Sequence, residues 1–253
     1  AGLMHDLFTR GVWTEVSIQR ARDAGLSAAD TAKVGQLRPP REEAPELYKE
    51  SPLGWVPVDW KTPLLDSVTK RGSGHTPDRN HPEYWNGGVK WVSLADSKSL
   101  DQLYISETQH EISQQGIENS SAMIHPAGCV ILSRDAGIGK SAILSDDMAV
   151  SQHFMCWRCG DKLLNHYLYY ILQHSKRDFE TIAMGSTIPT IGLQFFRSYR
   201  VVVPTDYSEQ EYAAKVLLEA EEKYKVLRDE KLKLEKQKQG LMQDLLTGKV
   251  PVM

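Results

Sequence analysis

The sequence predicts an α+β chain, a β-rich mixed domain followed by a long coiled-coil-type α-helix, and three observations carry that reading. Between Trp55 and Pro204, short apolar runs rich in β-branched or aromatic residues alternate with Gly, Pro and Asn clusters, the texture of short strands joined by turns. No proline occurs between Pro204 and Pro251, and the residues between them are mostly Glu, Lys, Leu, Gln and Ala, all good helix formers. The 253 residues are 41% hydrophobic and 25% charged with mean hydropathy −0.42, enough for a real core in one large domain or a medium one with an appendage.

Residues 1–12 read as the end of a helix. Gly2-Leu-Met-His-Asp-Leu-Phe-Thr-Arg-Gly-Val12 aligns without gaps on Gly240-Leu-Met-Gln-Asp-Leu-Leu-Thr-Gly-Lys-Val250, with seven of eleven positions identical. An offset of 238 residues is too long for a solenoid and marks one copy of a domain-sized duplication. Residues 13–54 contain Arg38-Pro-Pro-Arg41, Ala44-Pro-Glu46 and Ser51-Pro-Leu-Gly54 with little apolar periodicity after Leu26, so an extended linker is expected there.

In the domain at 55–205, strands are expected at Val89–Val92, Cys129–Leu132, His153–Trp157 and Tyr199–Val203. A helix is expected within Leu163–His174, where Leu164, Leu168, Ile171 and Leu172 fall at helical spacing. The segment 206–253 is the long helix, with Ser208 as its N-cap and Glu211 at the capping-box position. From Ser208 to Leu246 it would run about 58 Å. Alternate steps of four and three from Ala213 to Leu245 meet apolar residues at eight of ten positions, interrupted by Lys231 and Lys238, a coiled-coil seam. One apolar stripe on so long a helix calls for a partner helix, with Leu217, Tyr224, Leu227, Leu234, Leu241 and Leu245 as pairing residues.

Charge excludes a self-sufficient phosphate binder. Lys and Arg number 7 against 8 Asp and Glu in residues 1–54, 14 against 15 in 55–205, and 9 against 10 in 206–253, so each part carries −1 where a DNA-holding domain is usually basic. No apolar stretch approaches the roughly 20 residues of a bilayer span, and no charged segment precedes an apolar one at the N-terminus as in a secretory signal. Three cysteines fit a reducing cytoplasm better than a disulfide framework. The first residue, Ala1, fits a processed chain or a piece of a longer one.

Motifs for chemistry fall short one by one. Asp135-Ala-Gly-Ile-Gly-Lys-Ser141 has Arg134 where a phosphate loop needs its first glycine. Cys156-Trp-Arg-Cys159 with His153 and Cys129 could offer zinc ligands, but strand alternation points the two strand faces apart. No G-x-S-x-G elbow occurs, and Arg38-Pro-Pro-Arg41 lacks both flanks of an amino-methyltransferase loop. Asp146-Asp147 reads as solvated turn residues. The expectation is a non-catalytic chain with no cofactor and no metal. What remains is recognition: Lys70-Arg-Gly-Ser-Gly-His-Thr-Pro-Asp-Arg79 and Gly185-Ser-Thr-Ile-Pro-Thr-Ile-Gly192 read as loops whose cations and hydroxyls suit phosphates and base edges.

Taken together, Gly54-Trp-Val-Pro57 with Trp60, Gly72-Ser-Gly-His-Thr-Pro77, Tyr84-Trp-Asn-Gly87 with Trp91-Val-Ser93 and Asp96, Ile112-Ser113, Gly116-Ile117, Asn119-Ser120, Pro126-Ala-Gly128, Gln152, Gly185-Ser-Thr187, Val203-Pro204 with Glu209-Gln210, and Lys238 to Gly248 resemble the specificity subunit of type I restriction-modification systems. The resemblance implies a target recognition domain at 55–205, spacer helices at 1–12 and 206–253, and one half of a bipartite double-stranded DNA site read by this chain. It implies methyltransferase and restriction subunits as partners, and either the second half of a full subunit or a half-length one that forms a homodimer. The expected DNA contacts are Arg71, Ser73, His75, Thr76 and Arg79, with Lys90, Arg134, Ser186, Thr187 and Thr190 behind them. The alternative is a coiled-coil adaptor whose β-rich domain binds protein or sugar.

Overall fold

The computed structural model describes residues 2–184 and 189–247, and the chain divides into two compact units, Ala1–Ala214 and Lys215–Met253. Helix α1 (Leu3–Thr9) buries Leu7 and Phe8. Helix α2 (Glu15–Asp23) is started by a capping box: Ser17 N donates to the Thr14 hydroxyl, and Thr14 N donates to the Ser17 hydroxyl. Trp13, Ile18, Ala21, Ala29, Ala44, Leu47 and Tyr48 then close into one buried cluster. The expectation of an extended linker over 13–54 is therefore corrected. Its apolar residues lack a period because they are gathered across turns rather than along one helix face.

Strands β1 (Tyr48–Ser51) and β2 (Gly54–Pro57) make an antiparallel hairpin, and β3 (Trp60–Lys61) follows. The next strands are β4 (Thr69–Ser73), β5 (Trp85–Val92), β6 (Tyr104–Ile105) and β7 (His110–Ile112), succeeded by helix α3 (Gln114–Glu118). Then come β8 (Ile124–His125), β9 (Val130–Ser133), β10 (Ser141–Leu144), β11 (Met148–Val150) and β12 (Phe154–Cys159). Helices α4 (Asn165–His174), α5 (Lys176–Ala183) and α6 (Leu193–Ser198) lead to β13 (Val203–Pro204) and α7 (Tyr207–Leu246).

Two mixed sheets form the domain, in the orders β4-β12-β9-β10-β6 and β7-β5-β11-β8. Strands β9 and β10 are buried at every residue, which is why Val130-Ile-Leu132 and Ala142-Ile-Leu144 read as apolar runs rather than alternating patterns. Helix α4 packs on β9 and β10 and is buried continuously from Tyr167 to Leu172. The run expected as a strand at Tyr199–Val203 contributes only its last residue, in the two-residue pairing of β13 with β3. Arg200 makes an isolated bridge to Leu64.

The expected flexible loop at Lys70–Arg79 is also corrected. Its first part, Lys70–Ser73, belongs to strand β4, paired antiparallel with β12 from Cys159↔Thr69 to Met155↔Ser73. Backbone pairing with one strongly apolar neighbour suffices for a sheet-edge strand, so Thr-Lys-Arg-Gly-Ser needs no apolar side chains of its own.

A buried polar knot holds the first turn of α7 to the N-terminal segment. The Glu209 carboxylate, 1% exposed, accepts from Val12 N at 2.9 Å and Trp60 Nε1 at 3.1 Å and forms an ion pair with Arg38. Arg38 also reaches Asp59 at 3.2 Å. Burial pushes the Glu209 carboxyl up against the pull of Arg38. Burial works against charge on Arg38, but Glu209 and Asp59 outweigh it and keep the guanidinium protonated. Gly11, at φ +65°, lies against this knot, where a Cβ would overlap Glu209, Arg38 and Trp60. Asp206, rather than Ser208, caps α7: its carboxylate accepts from Ser208 N at 3.1 Å and from the Thr14 hydroxyl at 2.5 Å.

Candidate nucleic-acid interface

Beyond β4 the chain turns through Gly74, where a Cβ would overlap the Val150 carbonyl. That close approach sets Gly74 against β11, and the residues after it run toward β5, where Trp85 Nε1 donates to the Asp78 carbonyl at 3.3 Å. His75 is anchored by its carbonyl, which accepts from Trp91 Nε1 at 3.1 Å. The Thr76 hydroxyl donates to Gln152 Oε1 at 2.5 Å, fixing a glutamine that follows β11. Arg79 lies over the Trp85 ring at 5.6 Å, a cation–π contact that pre-orients a guanidinium at low entropic cost.

A bulge in β5 sets the other wall. The register against β7 shifts between Trp85 and Val89, Asn86 takes a left-handed φ of 57°, and Gly88 N donates to Glu111 Oε2 at 3.0 Å. Bulges re-aim side chains, and this one places Trp85 and Asn86 beside Arg79 and His110 around a recess of about 280 Å³. An adjoining recess of about 290 Å³ shares Arg79 and His110 and adds Thr76, Gln152 and Ser151. The buried Ser151 hydroxyl has no hydrogen-bond partner.

Other expected contact residues are engaged in holding the fold. Arg71, on β4, reaches Asp66 at 3.3 Å, and the Ser73 hydroxyl donates to the Phe154 carbonyl at 3.2 Å. Lys90 donates to the Ser106 carbonyl at 2.6 Å and to Asp146 at 2.9 Å, and Asp146 foremost holds its ammonium above the usual lysine range. Arg134 Nε donates to the Ile191 carbonyl at 3.2 Å. Ser186 and Thr187 lie outside the described residues, and Thr190 stands just after them. Asn86 and Gln152 belong to the motifs of the family resemblance but not to the expected contacts, and His110 belongs to neither. The signal that could have found Asn86 is the Asn-Gly-Gly turn inside a strand pattern.

The rejected motifs have plain structural roles. Asp135–Lys140 connects antiparallel neighbours β9 and β10 and leads into no helix. His153 Nδ1 is 2.5 Å from Asp135 Oδ2, Cys129 and Cys156 are buried free thiols, and no group of three or more metal-ligating side chains occurs among the described residues. No helix among those residues is long and apolar enough to cross a membrane.

A domain of short mixed sheets whose outward recess gathers Arg, Asn, His and Gln, and which continues into a long polar helix, defines a recognition module. Residues 57–236 match the family described as type I restriction modification DNA specificity domain. The chain belongs to that family.

It is 26% identical over 168 residues to the type I restriction enzyme MjaIX specificity subunit of Methanocaldococcus jannaschii, covering 66% of this chain and 39% of that protein. It is 24% identical over 201 residues to the EcoR124I/EcoR124II specificity subunit of Escherichia coli, covering 76% and 47%. The chain thus spans less than half the length of these two relatives. The fold is similar to the HsdS subunit of Thermoanaerobacter tengcongensis, with TM-score 0.58, 15% identity, and 91% of this chain and 55% of that one covered. A chain from a structure of type I R-M complex assembly and conformational transition gives TM-score 0.62 at 14% identity, covering 91% and 56%.

Proposed function

We propose that this chain reads one half of a bipartite double-stranded DNA target for a type I restriction-modification complex in the cytoplasm. In that role it docks methyltransferase and restriction subunits and pairs through the seam of α7 with another long helix, in a homodimer or a full subunit. The observation that carries the reading is the convergence of Arg79, Asn86, His110 and the Thr76-pinned Gln152 on one outward face of a specificity-family domain. An Arg suits the O6 and N7 edge of guanine, and Asn or Gln the N6 and N7 edge of adenine. The near-neutral charge of the domain fits a division of labour in which the methyltransferase subunits supply much of the phosphate neutralisation.

The test is selection from a random double-stranded DNA library by the chain together with a matching methyltransferase subunit. Enrichment of a short motif as an inverted pair at fixed spacing is the outcome for a homodimer. A single unpaired motif is the outcome for half of a larger subunit. No enrichment, with the methyltransferase demonstrably bound, removes DNA readout and leaves the adaptor.

A further inference from the structure

The turn that leaves β11 carries three polar residues in succession, Ser151-Gln-His153. Phe154 N donates to the Ser151 carbonyl at 3.1 Å, which closes Ser151–Phe154 as a β-turn. Its two ends are tied down: Ser151 N donates to the Val92 carbonyl at 2.8 Å, and Arg134 N donates to the His153 carbonyl at 3.0 Å. A backbone held in this way keeps Gln152 and His153 on the wall of the recess they share with Thr76, Arg79 and His110.

Side-chain partners then decide what each of these residues can offer. The Gln152 carbonyl oxygen accepts from the Thr76 hydroxyl at 2.5 Å, which leaves the Nε2–H group as what the amide gives a ligand. Asp135 carries a carboxylate, an acceptor only, so the 2.5 Å contact to His153 Nδ1 takes that nitrogen's proton. Nε2 of the neutral ring is then an acceptor. The turn therefore presents one donor and one acceptor side by side. The Ser151 hydroxyl, buried in the same recess without a partner, marks a place for a polar group of a ligand. On its other side His153, with Leu94, borders a cavity of about 830 Å³ whose apolar wall also includes Ile138.

We infer that this turn reads one A·T pair in the major groove: Gln152 Nε2–H donates to adenine N7, His153 Nε2 accepts from the adenine N6 amino group, and Leu94 with Ile138 receives the thymine methyl. In the major groove guanine shows two acceptors, thymine an acceptor and its methyl, and cytosine a donor. Adenine is the single base that sets an acceptor beside a donor. A G·C pair meets the same code only across its two bases, O6 to N4, and brings no methyl to the apolar wall. The inference rests on the DNA reading proposed above and deepens it, because a Gln152 whose oxygen is engaged by Thr76 needs His153 to complete the grip on adenine.

The test is competition binding by the full chain with its matching methyltransferase subunit, on duplexes that carry the motif recovered from the library, with base analogues placed at each A·T position in turn. At one position, purine, which lacks the amino group, and 7-deazaadenine, which lacks N7, should each weaken binding by about tenfold. Uracil in place of the opposing thymine should weaken it by about threefold. His153→Ala should erase the penalty for purine and keep that for 7-deazaadenine, and Gln152→Ala should do the converse. A variant that merely loosens the domain lowers affinity without matching one analogue to one residue. Penalties that persist unchanged in both variants, or a motif in which no A·T position answers in this way, overturn the assignment and leave DNA readout in place. A library from which nothing is enriched removes both.

Discussion

The first turns of α7 and its remainder treat charge in opposite ways. In the first turns Glu209 and Gln210 are each 1% exposed and saturated with partners: Gln210 accepts from Leu164 N at 2.9 Å and donates to the carbonyls of Lys162 and Pro204, each at 3.1 Å. Further along, ion pairs such as Lys215–Glu219 at 3.9 Å and Lys231–Glu235 at 3.8 Å sit in solvent and are worth at most about 1 kcal/mol each. Tyr224, Leu227, Leu234, Leu241 and Leu245 are 47–68% exposed, whereas Leu217 is buried. The start of the helix is thus specified by buried polar geometry, whereas its later part carries an uncovered apolar stripe.

The sharpest way to break this contrast is to truncate the buried carboxylate. Glu209→Ala leaves Arg38 and Trp60 Nε1 without their main partner in a dry setting, and removing one member of a buried ion pair is strongly destabilising. The expected loss is about 3–5 kcal/mol in urea unfolding. Glu209→Gln should lose less, because an amide oxygen can still accept from the indole. A loss under 1 kcal/mol for the alanine variant would show that the knot is decoration.

The complementary change strikes the exposed stripe. Leu227→Glu with Leu234→Glu is expected to leave the secondary structure of the domain intact and to abolish self-association, read as a fall in molar mass. An unaltered mass removes the seam. The comparison also explains what was legible in the sequence. The helix was, because its evidence is local: no proline, strong formers and a seven-residue period. Strands β9 and β12 and helix α4 were, because dense burial leaves apolar runs or spacing. The packed segment at 13–54 was not, since Trp13 and Tyr48 join one cluster from 35 residues apart. Nor was β4, whose strand state is conferred by β12. For the same reason Arg71 and Ser73 read as free loop cations and hydroxyls although the fold uses them, whereas His110 sits in the recess through a strand pairing invisible along the chain.

That distinction between used and outward side chains sets the third expectation. Arg79→Ala should weaken specific DNA binding by about 1–3 kcal/mol with relaxed preference at one position, while changing stability by no more than about 0.5 kcal/mol. Arg71→Ala should do the reverse, lowering stability through loss of the Asp66 contact with little change in base preference. Exchanged results for the two arginines would relocate the readout to β4.

The smallest expected effect is a pH dependence belonging to the domain interior. His125 lies under β4 with its ring 3.1 Å from the Ser73 carbonyl and pressed against Gly72, and burial lowers its pKa below 6.5 despite that hydrogen bond. The folded chain then holds this proton less tightly than the unfolded chain, so between the folded value and 6.5 the unfolded state binds more protons. Stability is fully present above that window and is lost as pH falls through it. Urea midpoints should accordingly be lower at pH 5.5 than at pH 7.5. His166 and His174 are also lowered by burial, so His125→Gln, which keeps a donor for the Ser73 carbonyl, should flatten the dependence only in part. An undiminished slope in that variant would place the proton uptake at His166, beside Tyr104, and His174, beside Phe8.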